Sequence, residues 1–332
     1  MRAKLRQRCE TQIRNEEMLR KGHMLQLEEM IKLGGITFAN AGRPVDTERI
    51  ARCKQILKER VGIFSSFRGY MQYLVLIKMA LADNPETYID NVLGIYQRLK
   101  GSFLLPGELV AMAATTIYEN CPAEKVDEVV DKTREAYAKI KQSHPFFTGE
   151  EDMALIALMI MAGKDPDRAA AEAEELYLMV KDGFWKGSDV PQAVAMVLAL
   201  SDKPPAQKVA DYFALFEACK EAGRKTSKDK AAVIYAAFAD LDADRAGIVA
   251  EIGEVDDWLR HQKGYGPLGV GASMRRMFAA TLVLEDRQAG SSSSAASTTN
   301  AVAQAVVEEL MLILISIIVT TIVVNAIVSS GH

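Results

Sequence analysis

The residues of this chain with a spacing that suggests chemistry begin with a glycine string. Gly264-Tyr265-Gly266-Pro267-Leu268-Gly269 reads GxGxxG, with Gly271 just beyond. In a dinucleotide site that string follows a strand and opens a helix, so that backbone N–H groups meet a pyrophosphate. Here it follows the helical stretch EVDDWLRHQK, and Pro267 removes one N–H. The context therefore predicts an interhelical turn and no nucleotide cofactor. A narrower chemistry remains: Gly269 before a helix carrying Arg275 and Arg276 could hold an anion at the helix N-terminus. Arg68, in the polar knot Ser65-Ser66-Phe67-Arg68, is a second candidate for an anion or for a buried acid.

Glu150, Glu151 and Asp152 crowd one helix start. Three carboxylates can bind a divalent cation or exchange protons. They also favour the positive end of a helix dipole, which predicts them there without any ligand. His23, His144 and His261 share no ligand spacing, and Cys9, Cys53, Cys121 and Cys219 contain no CxxC pair. The pattern predicts no metal, no disulfide and no cofactor. Trp185-Lys186 and Trp258 read as hairpin anchors, with a recognition role as the alternative. A net charge of −4 argues against nucleic acid as a partner.

The elements that must position these residues are helices. Apolar residues recur at three- and four-residue spacing, alternating runs are few, and no Asn-Gly hairpin turn occurs. Asn84-Pro85-Glu86 and Asp165-Pro166-Asp167 place a capping side chain before a proline. Thr148-Gly149-Glu150-Glu151 and Thr226-Ser227-Lys228-Asp229 have capping-box spacing. Gly101, Gly163, Gly183 and Gly223 sit where helices should stop.

The anchors Leu57, Tyr96, Tyr137, Tyr177, Phe216 and Trp258 fall about forty residues apart. Each is followed by a turn rich in Gly, Lys and aromatics, then by an apolar helix such as LVAMAATTIY, ALIALMIMA, AVAMVLAL, AAVIYAAFA or MRRMFAATLVL. One hairpin cannot bury its own apolar face, so the expectation is an all-α body of stacked helical hairpins, an α-solenoid or α/α superhelix, with a groove for another macromolecule.

The expected organisation has four parts. Residues 1–45 form a basic helical arm and 46–288 the body. A serine-rich linker follows at 289–305, then a candidate transmembrane helix at 306–328. From Leu310 to Val328 no residue carries a formal charge, which matches the thickness of a bilayer's hydrocarbon core. The N-terminus has no apolar signal core. The expected address is therefore a membrane, reached by the C-terminal tail, with the body cytoplasmic.

The stretches FSSFRGY, IYQRLKGSF, FTGEEDMALIALMI and LYLMVKDGFWKGSDVPQAVAMVLALSDK, in that order, resemble a bacterial family grouped as domain of unknown function 4003. The similarity runs over roughly 46–286. It implies a helical protein and carries no activity, cofactor or catalytic residue with it. The reading is a membrane-tethered interaction module without catalysis. The alternative is a soluble helical enzyme or small-molecule binder whose tail packs on protein.

Overall fold

The computed structural model describes residues 1–21, 28–62, 65–69, 72–102, 107–146, 148–224, 230–239, 241, 244–266 and 268–291. Among them lie thirteen α-helices, four short 3-10 helices and no strand. The candidate membrane run 310–328 and the capping box at 226–229 lie outside the described residues. Among the described residues no helix is long and apolar enough to cross a membrane.

Helices of two kinds alternate. The amphipathic ones are α1 (Ala3–Lys21), α3 (Thr47–Arg60), α5 (Pro85–Leu99), α7 (Val126–Ser143), α9 (Pro166–Val180), α11 (Pro205–Glu221) and α12 (Arg245–Arg260). Between them run apolar helices: α2 (Glu28–Asn40), α4 (Gln72–Leu81), α6 (Glu108–Asn120), α8 (Asp152–Met161), α10 (Val190–Leu198) and α13 (Gly271–Ser291). The 3-10 helix Lys230–Phe238 fills the remaining place in this second row.

Within each row, neighbours pack side by side. α6 lies on α8, α8 on α10, α10 on the 3-10 helix and the 3-10 helix on α13, while α5, α7, α9, α11 and α12 form the covering row. The inner helices are buried on every side: Tyr73 through Ala80, Leu109 through Ile117 and Met153 through Ile160 have no exposed member. A helix apolar all round belongs to an interior. No face of these three helices is left for an open groove, and this corrects the expectation of a groove for another macromolecule along them.

The segment AAVIYAAFA was expected to be an α-helix and is 3-10. The tighter winding rises about 2.0 Å per residue, so nine residues reach as far as a longer α-helix would. The caps at Asn84 and Asp165 form as their sequences predict, accepting from the N–H groups of Thr87 and Arg168. The box at Thr148 does not. Its hydroxyl accepts instead from Gln192 Nε2 at 3.0 Å, and α8 begins only at Asp152.

Residues 1–45 carry α1 and α2, which pack on each other, on α4 and on α13. Leu5, Cys9 and Leu19 are fully buried there. Arg8 reaches Glu285, and Asn40 donates to Glu285 Oε1 at 2.9 Å, so the first helices meet the last one.

Candidate functional site

The ends of the inner helices decide where chemistry can happen. Side chains at the starts of α6, α8 and α10 meet one another, and those at the ends of α4 and α6 do the same, so these helices run parallel. Their dipoles therefore add, leaving one rim positive and the other negative.

At the rim of helix starts, α6 has no capping side chain of its own. Glu150, from the next hairpin, supplies one: the backbone N–H groups of Gly107 and Val110 donate to its carboxylate. A Cβ on Gly107 would overlap that carboxylate, and one on Gly69 would overlap the carboxylate of Glu108. Glycine is required here for close approach, not for a turn. Burial, reinforced by the charge of Glu151, pushes the Glu150 carboxyl upward despite these bonds.

The other two acids of this cluster go elsewhere. Asp152 is buried and accepts from Gly149 N at 3.1 Å and Gln192 Nε2 at 3.0 Å. Glu151 folds back against Gly149. The three carboxylates thus serve three separate partners. Among the described residues no group of three His, Cys, Asp or Glu is placed to hold a metal.

The GxGxxG string closes on itself. Gly269 N donates to Gly266 O at 2.9 Å and Val270 N to Gly264 O at 3.1 Å, so these N–H groups face no ligand. Gly264 has φ +79, and a side chain there would strike Glu28 and Lys32. The candidate anion ligands are also engaged. Arg275 Nε donates to Asp256 Oδ1 at 2.6 Å and its Nη1 to Tyr265 O at 3.1 Å. Arg276 and Arg224 lie at 3.5 and 3.2 Å from the other oxygen of Asp256. Arg68 donates to the Lys58 carbonyl at 2.7 Å.

Beside this turn lies a network the sequence analysis did not single out. Glu16 and Lys32 are both fully buried, with Nζ 3.4 Å from Oε2. Lys32 Nζ sits 3.7 Å from the Tyr265 ring centre, and Tyr265 donates to Glu16 Oε1 at 2.7 Å. Desolvation raises the Glu16 carboxyl, opposed by Lys32, Tyr265 and Gln12. Tyr265 stands 249 positions from Glu16 in the chain, so no local pattern announces the pairing.

The opposite rim is held by cations. Arg49 donates to the carbonyls of Ala80, Ala82 and Asp83, and Lys203 to that of Ala239. Buried Lys164 and Lys208 converge on Glu172 at 2.7 and 2.5 Å. Lys78 pairs with Glu119, which also accepts from Tyr88 at 2.6 Å. A cleft of about 580 Å³ opens there, lined by Lys78, Leu81, Tyr88, Tyr118 and Glu119.

Not every large apolar side chain is covered. Among the described residues five large hydrophobic side chains stand in solvent: Phe146, Leu178, Met179, Trp185 and Leu268. Four of them gather where α7 and α9 end. Their neighbourhood is fixed by His144, which pairs with Glu174 and lies 4.4 Å, ring to ring, from Tyr177. Trp185 is 78% exposed, while Trp258 is half-buried under Arg6 at 5.2 Å. Of the two tryptophans, Trp185 is the more exposed.

No curated protein and no solved structure matches the chain. A family model described as "Protein of unknown function (DUF4003)" matches residues 18–321, a longer stretch than 46–286 at both ends, reaching α1 and the apolar run. The chain belongs to that family.

Proposed function

We propose that this protein is a membrane-tethered binding module. Its body is a closed ring of helical hairpins, with α1 and α2 as the hairpin that meets α13. Its uncharged 310–328 segment holds it to a bilayer, with the body on the cytoplasmic side. Its recognition surface is the exposed apolar cluster Phe146, Leu178, Met179 and Trp185, which takes a protein partner. The observation that carries this reading is the division of labour at the rims. The buried ionic groups that resemble chemistry have partners within the chain, whereas four large apolar side chains in one neighbourhood do not.

Exposed aromatic side chains in a local cluster mark interaction sites. The family match runs on from the body into the first part of the uncharged run, to residue 321, which supports a shared role. The test is fractionation followed by capture. The full chain should sediment with membranes, and a chain ending at Ser291 should stay in the supernatant. Partner capture from membranes by the full chain should drop sharply in Phe146→Ala/Trp185→Ala. Capture that is unchanged in the double variant would refute the surface, and a full chain in the supernatant would refute the tether.

A second reading rests on the cleft at Lys78, Tyr88, Tyr118 and Glu119, which suits a small polar aromatic ligand. Saturable ligand binding lost in Tyr118→Ala would favour it.

A further inference from the structure

We infer that the apolar cluster Phe146, Leu178, Met179 and Trp185 is the docking site for this chain's own Leu310–Val328 segment whenever that segment is outside a membrane. The inference rests on the tether reading and adds regulation to the same surface: tail and partner compete for it.

The argument begins with what must be covered. An uncharged, mostly apolar run of nineteen residues is costly to leave in water, and the cluster holds four of the five large hydrophobic side chains that stand exposed among the described residues. Reach comes next. α13 ends at Ser291, and Arg287 lies against Gly247 at the rim of helix ends. The cluster lies at the other rim, and the length of the 21-residue α13, about 31 Å, is the part of the separation that runs along the helices. Residues 292–309 form a leash of eighteen residues. Fully extended, eighteen residues cover about 60 Å, more than the length of α13, so the run has the reach to lie along the outer wall. Charge has the matching sign: Glu308 and Glu309 lead the run, and the exposed charged residues nearest Trp185 in the chain, Lys181, Asp182 and Lys186, are net positive. Attachment to the same chain makes the encounter intramolecular, so modest contacts suffice.

The probe is Trp185 itself, made the only tryptophan by Trp258→Phe in the full-length protein. Acrylamide quenching is read in dilute solution, after addition of phosphatidylcholine vesicles, and in the tail variant Ile317→Asp/Ile318→Asp. The expected result is a quenching constant several-fold lower in solution than in either of the other states. Leu178→Asp with an intact tail should match the tail variant, which guards against a tail substitution that merely aggregates. Equal quenching in all states, with the protein bound to vesicles, overturns the docking and leaves the tether standing. Shielding without vesicle binding supports the docking and refutes the tether. Shielding lost on dilution assigns the cover to a second copy and overturns the intramolecular form. Quenching by brominated lipid would put the cluster itself into the bilayer and overturn the proposal.

Discussion

The two rims of the inner helices face opposite electrostatic demands and meet them differently. At the rim of helix starts a carboxylate from one hairpin caps the next, as Glu150 does for α6, and glycine makes room for it. At the rim of helix ends, cations fill the same need by binding carbonyls and by sharing Glu172. The first solution uses backbone N–H groups that would be orphans at any helix start. The second buries two ammonium groups and depends on their shared carboxylate. The comparison teaches that clustered charges near a helix end are first a response to aligned dipoles, and only what this response leaves over is free for function.

The largest test of that contrast removes Glu172. Glu172→Ala leaves Lys164 and Lys208 buried without their anion, and the loss should be about 3–5 kcal/mol in urea unfolding. The chain's own exception to the pattern, Arg275 and Arg276 at the start of α13, depends on Asp256 in the same way. Asp256→Ala should cost a similar amount.

Next comes Gly107→Ala. The added methyl displaces Glu150 and uncaps α6, for about 1–3 kcal/mol. The rims should also separate by pH. Burial raises the Glu172 carboxyl, but Lys164 and Lys208 overcome it and hold the group below 4.5. Its contribution is therefore present above about pH 4.5 and is lost as pH falls through the lowered folded value. Glu150 is shifted upward from 4.5 by burial. Its contribution is complete below that value and fades as pH rises through the raised folded value. Urea midpoints between pH 3 and 6 should lose part of their acid sensitivity in Glu172→Ala and gain some in Glu150→Gln. The smallest effect is Glu150→Gln near neutrality, within about 1 kcal/mol, because the amide oxygen still accepts and no charge is buried. If Glu150→Gln costs as much as Glu172→Ala, the two rims are not held differently.

Much of the helical order was readable locally. The caps at Asn84 and Asp165 and the stops at Gly163 and Gly223 depend on a few neighbouring residues, and the structure places them as expected. The candidate sites were legible only as residue types. Glu150, Glu151 and Asp152 do sit at one helix start, yet their carboxylates part to three different places. Arg275 and Arg276 do open α13, yet a buried acid from the helix before it holds them. The Glu16–Lys32–Tyr265 network was missed because its members come from opposite ends of the chain. The one readable hint was a charged side chain, Lys32, inside the apolar run of α2.

By itself the sequence determined the helices, their alternation of amphipathic with apolar, and the family. Periodicity, caps and glycine stops are local, and local free energies suffice to place them. It also fixed the uncharged 310–328 run, whatever covers it. Only the tertiary structure decided that the apolar helices run parallel with no side free, that α1 meets α13, and which charged groups are neutralised. Those outcomes depend on contacts between residues far apart in the chain, whose pairing no window of sequence encodes. The same holds for Phe146, Leu178, Met179 and Trp185. Their residue types are ordinary for a core, and only the packing of α7 against α9 leaves them facing water.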